Sequence, residues 1–265
     1  MTLSSSADPA QVRAPVTSHA QRLAASLARP PVDLRHLFGS AVRHQGARPL
    51  CVPFSLAAAH EATRANVIAP GAEELAVEPL WQHCFNAGLA GHDGTTLAAA
   101  AVAVEIKGQT TELCWPYNAT LGAGTEPEPA SATHAPWYRA GSLQTPLAHD
   151  GIESLAEDAL ALGLPLVLVV ELTDEFEHPT QEGEIAVPAL TAPASDYHAV
   201  LAVGAATNDE GTNRRLLIRN SWGPGWGAGG YGWLPLDYLI AFAVQAATVD
   251  PTSLVESAPP VEGTR

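Results

Sequence analysis

Residues Gln45–Ser55 read Gln-Gly-Ala-Arg-Pro-Leu-Cys-Val-Pro-Phe-Ser and decide how the rest of the chain is interpreted. They place Cys51 at the start of an apolar, alanine-rich segment, which predicts a helix because alanine is the best helix former. Pro53 fits the first turn, where its missing N–H has no intrahelical partner to lose. A thiol at a helix N-terminus lies near the positive end of the helix dipole, which favours the thiolate. The stretch therefore makes Cys51 a candidate nucleophile that needs a base and an orienting partner elsewhere in the chain.

Two distant segments supply the residue types that such a cysteine needs. His198 follows Cys51 by 147 residues, and Asn220 follows His198 by 22. A histidine can act as the base, and an asparagine carbonyl can orient it. Gln45 and the N–H of Cys51 are two donors for an oxyanion. A lone cysteine is more often a buried core residue, but the order cysteine, histidine, asparagine at this spacing is typical of one kind of cysteine peptidase.

The sequence around these positions resembles the papain family of cysteine peptidases. The resemblance covers about residues 32–245, and the asparagine segment is its most specific part. The matching pieces are Gln45-Gly46 with Cys51 and Phe54-Ser55; His198-Ala199-Val200 with Val203-Gly204; Leu217 to Gly223; Gly225-Trp226-Gly227; Gly229 to Gly232; and, more weakly, Asp93-Gly94-Thr95 and Trp115-Pro116-Tyr117.

The resemblance implies a role for each of four residues. Cys51 would be the nucleophile, and His198 would be the general base and then the general acid. Asn220 would orient His198, while Gln45 and the Cys51 N–H would hold the oxyanion.

The same resemblance implies three substrate-contacting residues. The indole of Trp222 matches the one that shields the histidine–asparagine hydrogen bond from water in that family. The backbone near Gly94 and Thr95 would bind an extended substrate in the manner of a strand.

The chain also departs from the family pattern. Arg48 stands where the family has a first cysteine, so the disulfide made by that cysteine cannot form, and Val52 replaces a tryptophan. Cys84 and Cys114 match no secure pair and are predicted to be buried free thiols rather than a bridge. These features, and a leader too short for the family's inhibitory propeptide, resemble the intracellular bacterial branch of the family.

The predicted fold class is α+β. Helical patterns come first and strand patterns later, which predicts two packed halves. The resemblance implies a papain-like two-lobed fold, with a helical N-terminal half, an antiparallel β-barrel-like C-terminal half and the active site in the cleft between them. The predicted division is a flexible or partly helical leader (1–31), a catalytic domain (32–250, with a helical lobe 32–120 and a β lobe 121–250) and a disordered tail (251–265).

The individual elements follow from local patterns. A Val-rich apolar run predicts a buried strand, alanine-rich stretches predict helices, and Pro79 is expected to split one helix in two. The predicted helices are 18–28, a helix starting at Cys51, 73–86, 95–107 and 154–162; the predicted strands are 165–172, 198–203, 214–220 and 230–234; 237–247 is ambiguous, and 118–150 and 173–196 are long loops.

Composition narrows the function classes. Asp and Glu number 28 against 13 Lys and Arg, so a nucleic-acid partner is not expected, since phosphate binding needs clustered basic residues. No apolar run is long enough for a membrane span, and the N-terminus lacks a signal-peptide pattern. No paired Cys or His spacing predicts a metal site. We expect a cytoplasmic protein without metal or cofactor.

Three functions use these residues. The leading prediction is a peptidase that cleaves peptide bonds through a thioester on Cys51. An acyltransferase or transpeptidase acting on a peptide or natural product would use the same residues and a different acceptor, and a non-catalytic scaffold is the third alternative. The partner expected for the leading function is a peptide or protein substrate. Four acidic residues in the loop 173–196 predict a preference for basic substrates: Glu175, Glu177, Glu182 and Glu184.

Overall fold

The computed structural model describes residues 18–68, 73–147, 150–189 and 196–258. These residues form seven α-helices, interspersed with short 3₁₀ turns. The helices are α1 His19–Leu27, α2 Cys51–Val67, α3 Glu78–Asn86, α4 Leu97–Ile106, α5 Ile152–Ala161, α6 Asp174–Glu177 and α7 Leu236–Phe242.

The same described residues form eleven strands, and every named strand pairing is antiparallel. The strands are β1 Val32–Asp33, β2 Ala90–Gly91, β3 Gly94–Thr95, β4 Trp137–Arg139, β5 Ser142–Gln144, β6 Leu166–Glu171, β7 Tyr197–Thr207, β8 Arg214–Arg219, β9 Tyr231–Pro235, β10 Ala243–Val249 and β11 Val255–Ser257.

The largest sheet has seven strands in the order β5-β10-β6-β7-β8-β9, with β1 added against β7. Its two outer strands, β5 and β9, do not pair with each other in the described residues, so the sheet stays open rather than closing into a barrel. The α+β class and the antiparallel C-terminal half that the sequence predicts are both present.

Strand β7 separates two hydrophobic cores because its side chains alternate between the two faces of the sheet. Val200 and Ala202 pack in the core that also holds α5 and α7. Ala199, Leu201 and Val203 pack in the core formed with α2 and α4. The sheet is therefore covered on both faces, and residues at even positions near the start of β7 share one face.

The predicted helix at Cys51 is confirmed and runs to Val67. The expected helix pair over residues 73–86 is wrong: α3 begins at Glu78 and places Pro79 in its first turn, where a proline breaks no hydrogen bond. Thr96 caps the next helix, α4, because its side chain accepts from the Ala99 N–H.

The C-terminal part of the chain departs from expectation in two places. The segment 237–247, which the sequence left ambiguous, contains a helix followed by a strand, because α7 leads directly into β10. Residues Val255–Ser257 form β11 and pair with β4, so the first part of the predicted disordered tail is ordered. Residues 259–265 lie outside the described residues.

The described part of the predicted leader, residues 18–31, packs against the β-rich half. Ser18 caps α1 in a capping box with Gln21, a common start for a helix. Arg214 on β8 donates to the carbonyls of Arg29 and Pro30 at 3.0 Å each. Residues 1–17 lie outside the described residues. None of the described helices is long and apolar enough to cross a membrane.

A buried ion pair holds the segment that leads into α2. Arg48 is 1% exposed, and its guanidinium pairs with Glu78 at the start of α3. The guanidinium also donates to the carbonyls of Asn118, Gly122 and Gly124 at 2.9, 2.9 and 3.1 Å. The planar fork of arginine suits such a multiple contact. Arg48 is thus an anchor that joins three segments.

Removing one partner of this ion pair should destabilise the protein strongly. Arg48→Met leaves the Glu78 carboxylate buried without its counter-charge, which costs about 3–5 kcal/mol. The double variant Arg48→Met/Glu78→Gln removes the stranded charge and keeps an acceptor for the Asn118 N–H, so it should recover part of that loss. Chemical denaturation measures both values, and a single variant within about 1 kcal/mol of wild type would contradict the anchoring role.

Candidate active site

The thiol of Cys51 lies at the N-terminal end of α2, where Cys51 is partly exposed between buried neighbours. Leu50, the residue before the helix, makes no side-chain capping hydrogen bond, and the first N–H groups of a helix have no intrahelical partner. Pro53 removes one of these donors. The N–H groups of Cys51 and Val52 both act to lower the pKa of the Cys51 thiol. The helix thus begins with a free thiol surrounded by backbone donors.

Two contacts join the first turn of α2 to the start of β7. The hydroxyl of Ser55 donates to the carbonyl of Ala199 at 2.9 Å, and the Ala199 N–H interacts with the sulfur of Cys51. Pairing between β7 and β8 begins only at Leu201, which leaves the edge of Ala199 open to the helix. Since His198 is the neighbour of Ala199, these contacts bring Cys51 and His198 together.

The imidazole of His198 is held from its other side by Asn220. The His198 Nε2 lies 2.7 Å from the Asn220 Oδ1. The same Oδ1 accepts from the Ser221 N–H at 2.8 Å, which identifies it as the oxygen of the amide. An oxygen can only accept, so His198 must carry its proton on Nε2. Nδ1 is therefore the unprotonated, basic nitrogen.

Aromatic rings cover this hydrogen bond. The indole of Trp222 stacks on the His198 ring with 4.5 Å between centroids and 34° between planes. Phe176, which is fully buried on α6, meets both rings edge-on at 6.0 Å. Trp226 and Tyr238 pack against Phe176 at 5.5 and 6.0 Å. This aromatic cluster keeps water from the face of the imidazole.

Burial shifts the pKa values of Cys51 and His198 in the directions that favour their neutral forms. Loss of solvation lowers the pKa of His198 to about 4, although the hydrogen bond that His198 donates to Asn220 and the charge of Asp196 act to raise it. Loss of solvation also raises the pKa of the Cys51 thiol, against the backbone donors of Ala199 and Val52. The resting pair is thus a thiol beside a neutral imidazole that can take its proton.

The side chain of Gln45 is fixed beside the same site. Its backbone N–H donates to the carbonyl of Ser221 at 2.8 Å, and its Oε1 accepts from the Ser221 hydroxyl at 2.6 Å. The Nε2 group donates to the Arg48 carbonyl at 2.9 Å, which uses one of its two hydrogens. Ser221 therefore ties Gln45 and Asn220 into one rigid unit.

The predicted substrate-contacting residues Gly94 and Thr95 form the short strand β3. Gly94 has a φ of +85°, and a Cβ there would lie 3.2 Å from the carbonyl oxygen of Pro49, so the hairpin packs directly against the segment before Cys51. The Thr95 hydroxyl donates to the Leu89 carbonyl at 2.8 Å within its own hairpin. Gly94 thus lies next to the segment before Cys51, while the Thr95 hydroxyl is occupied by the Leu89 carbonyl.

Sequence reasoning missed the supporting residues Ser55, Phe176 and Ser221. Ser55 and Ser221 stand inside the matching motifs, but only the three-dimensional contacts give their partners. Phe176 lies in a segment predicted to be a loop, and a single buried aromatic there gives no periodic signal. Cys84 is buried and free as predicted, while Cys114 is free and partly exposed.

These features agree with a comparison against known families. The model of the papain family of cysteine proteases matches residues 30–239. This range is more than half of the chain, and the protein belongs to that family.

Relatives of known name share shorter stretches. Ananain from Ananas comosus is 30% identical over 99 residues, which is 37% of this chain and 27% of ananain. The uncharacterized peptidase C1-like protein L477 of Acanthamoeba polyphaga mimivirus is 33% identical over 92 residues, 34% of this chain and 28% of that protein. The chain thus matches about a quarter of the length of these two relatives.

The fold has a close counterpart among solved structures. Xylellain, a cysteine protease from Xylella fastidiosa, superposes with a TM-score of 0.69, covering 85% of this chain and 88% of xylellain. The two sequences are 20% identical, so the likeness supports the fold.

Opening the aromatic cluster to water should raise the pKa of His198. In the wild type its ring should titrate near pH 4, since burial disfavours the imidazolium. Phe176→Ala would restore part of its hydration and move the pKa up by about one unit toward the ordinary value. Nuclear magnetic resonance of labelled histidine rings measures this shift directly.

Phe242→Ala is the matched control, because Phe242 is a buried ring that contacts Tyr238 at the far end of the same cluster. Phe242→Ala should leave the pKa of His198 unchanged. A wild-type His198 that titrates near 6.5, or one unaffected by Phe176→Ala, would contradict this account of the site.

Proposed function

We propose that this protein is a cysteine peptidase that hydrolyses peptide bonds through a thioester on Cys51. The single observation that carries the proposal is the joined set of contacts around His198. Its Nε2 donates to Asn220 at 2.7 Å, its ring is covered by Trp222, and its neighbour Ala199 accepts a hydrogen bond from Ser55 on the helix that begins at Cys51. A nucleophile, a base and an orienting group in this arrangement are what acyl transfer through a cysteine requires.

In the first half of the reaction, His198 Nδ1 accepts the thiol proton as the sulfur of Cys51 attacks the substrate carbonyl. The imidazolium that forms is stabilised by Asn220, which accepts from its Nε2–H. The tetrahedral intermediate then collapses, the peptide C–N bond breaks, and the leaving amine takes the proton from Nδ1. The acyl group remains on Cys51 as a thioester.

The negative oxygen of that intermediate needs donors that are fixed in advance. The N–H of Cys51 at the start of α2 is one donor, favoured by the helix dipole. The second hydrogen of the Gln45 Nε2 group is the other, since Ser221 and Arg48 hold that amide in place. In the second half, His198 deprotonates a water that attacks the thioester, which releases the carboxylic acid and restores the thiol.

The substrate is proposed to be a peptide or protein segment bound in extended form. Gly94 supports this, because its backbone lies beside Pro49 in the segment that leads to Cys51, where an extended peptide could bind in the manner of a strand. Trp222 would contact the leaving side of the substrate while it covers His198. The reduced thiols agree with a cytoplasmic location, which stays a prediction.

Replacing the nucleophile should abolish turnover without unfolding the protein. Cys51→Ala should lower peptide hydrolysis by at least about 10³-fold, because no other group in the site can form the acyl intermediate. Cys114→Ala, a change of another partly exposed free thiol, should keep full activity. Mass spectrometry of a peptide library incubated with each variant measures the products.

The same experiment separates hydrolysis from acyl transfer when a primary amine is added. Products with the mass of added water support a peptidase, whereas products that carry the amine support a transferase on the same thioester. Equal activity of Cys51→Ala and wild type, or a folded wild type that modifies no peptide, would rule out the proposed chemistry.

A further inference from the structure

A carboxylate lies on the same side of strand β7 as His198. The Leu172 N–H donates to the Asp196 carbonyl at 2.8 Å, which continues the β6–β7 ladder by one residue beyond the pair Glu171–Tyr197. Side chains two positions apart in a strand point to the same face. Asp196 therefore precedes His198 on one face, and unlike the buried imidazole it is exposed.

The charge of Asp196 affects the pKa values of both Cys51 and His198. Its carboxylate acts to raise the pKa of the Cys51 thiol and that of His198, in each case less than burial shifts the value. Charges separated by more than about 10 Å are largely screened, so this effect on both groups agrees with a carboxylate near the site rather than across the molecule. A substrate group held at the sulfur would thus experience the same field.

No cation neutralises Asp196 within the described part of the chain. Its Oδ1 accepts from the Tyr197 N–H at 2.7 Å, and none of the ion pairs there includes it. By contrast Glu184, one of the acidic residues from which a basic preference was expected, pairs with Arg215 on β8. Asp196 is therefore an acid on the face of His198 that no cation of the described residues pairs with.

We propose that Asp196 is a specificity-determining residue, whose carboxylate binds a positively charged nitrogen of the substrate beside the scissile bond. The assignment rests on the proposed peptidase function. The nitrogen belongs either to a lysine or arginine side chain or to a free α-ammonium group, and both have the same chemistry. An ion pair that stays open to water gives about fivefold selectivity, equivalent to about 1 kcal/mol.

Cleavage of a positional peptide library tests the assignment. Each position flanking the scissile bond carries lysine, norleucine or glutamate in turn, and every peptide is made with an acetylated and with a free N-terminus. The wild type should prefer lysine over norleucine about fivefold at one position, or the free over the acetylated series. Asp196→Asn should lose that preference, and the ratio of kcat/KM values within each variant cancels any general change in activity.

Asp209→Asn is the matched control, since Asp209 is an exposed aspartate in the turn after the other end of β7. It should keep the wild-type preference, and Asp196→Lys should favour glutamate instead. Hydrolysis without any cationic preference, or a preference that survives Asp196→Asn, overturns the role of Asp196 and leaves the peptidase function intact.

A second measurement does not depend on peptide cleavage. Methanethiosulfonate reagents that carry a trimethylammonium or a sulfonate group both modify a free thiol, and mass spectrometry gives the rate at Cys51. Asp196→Asn should lower the ratio of cationic to anionic rates about fivefold, whereas Asp209→Asn should not change it. An unchanged ratio in Asp196→Asn would overturn the assignment even if no peptide substrate is found.

Discussion

The site depends on the contact between the first turn of helix α2 and the start of strand β7. Ser55 donates to the carbonyl of Ala199, and the thiol of Cys51 meets the N–H of the same residue. A single hydrogen bond of this kind contributes only about 1 kcal/mol to stability. Its importance is geometric, because it fixes a thiol from the N-terminal half, the proposed nucleophile, beside a histidine from the sheet.

Loss of solvation shapes the chemistry at that contact. Trp222 and Phe176 exclude water from His198, so the imidazole stays neutral at physiological pH and is ready to accept a proton. The hydrogen bond to Asn220 then determines which nitrogen is basic. Ser221 joins Asn220 to Gln45, since its N–H donates to the Asn220 Oδ1 and its hydroxyl donates to the Gln45 Oε1. A buried polar group is costly unless it is paired, and here each pairing also serves to orient a reactive atom.

Local sequence patterns predicted the α+β class, the helix at Cys51 and the strand that carries His198, because apolar periodicity and alanine content act over short distances. The order of Cys51, His198 and Asn220 also pointed to the site. The start of α3 was missed because Pro79 is harmless in a first turn. The buried Arg48–Glu78 pair and the position of Phe176 depend on contacts between distant segments, which no local pattern records.

The rate of alkylation of Cys51 by iodoacetamide at pH 5 tests most directly whether that contact creates a reactive pair. A neutral His198 can accept the thiol proton at this pH, so Cys51 should react well before Cys84 and Cys114. His198→Ala should slow the reaction at Cys51 by about 100-fold, the range expected for removal of a general base. Equal labelling of all three thiols, or an unchanged rate in His198→Ala, would contradict the account.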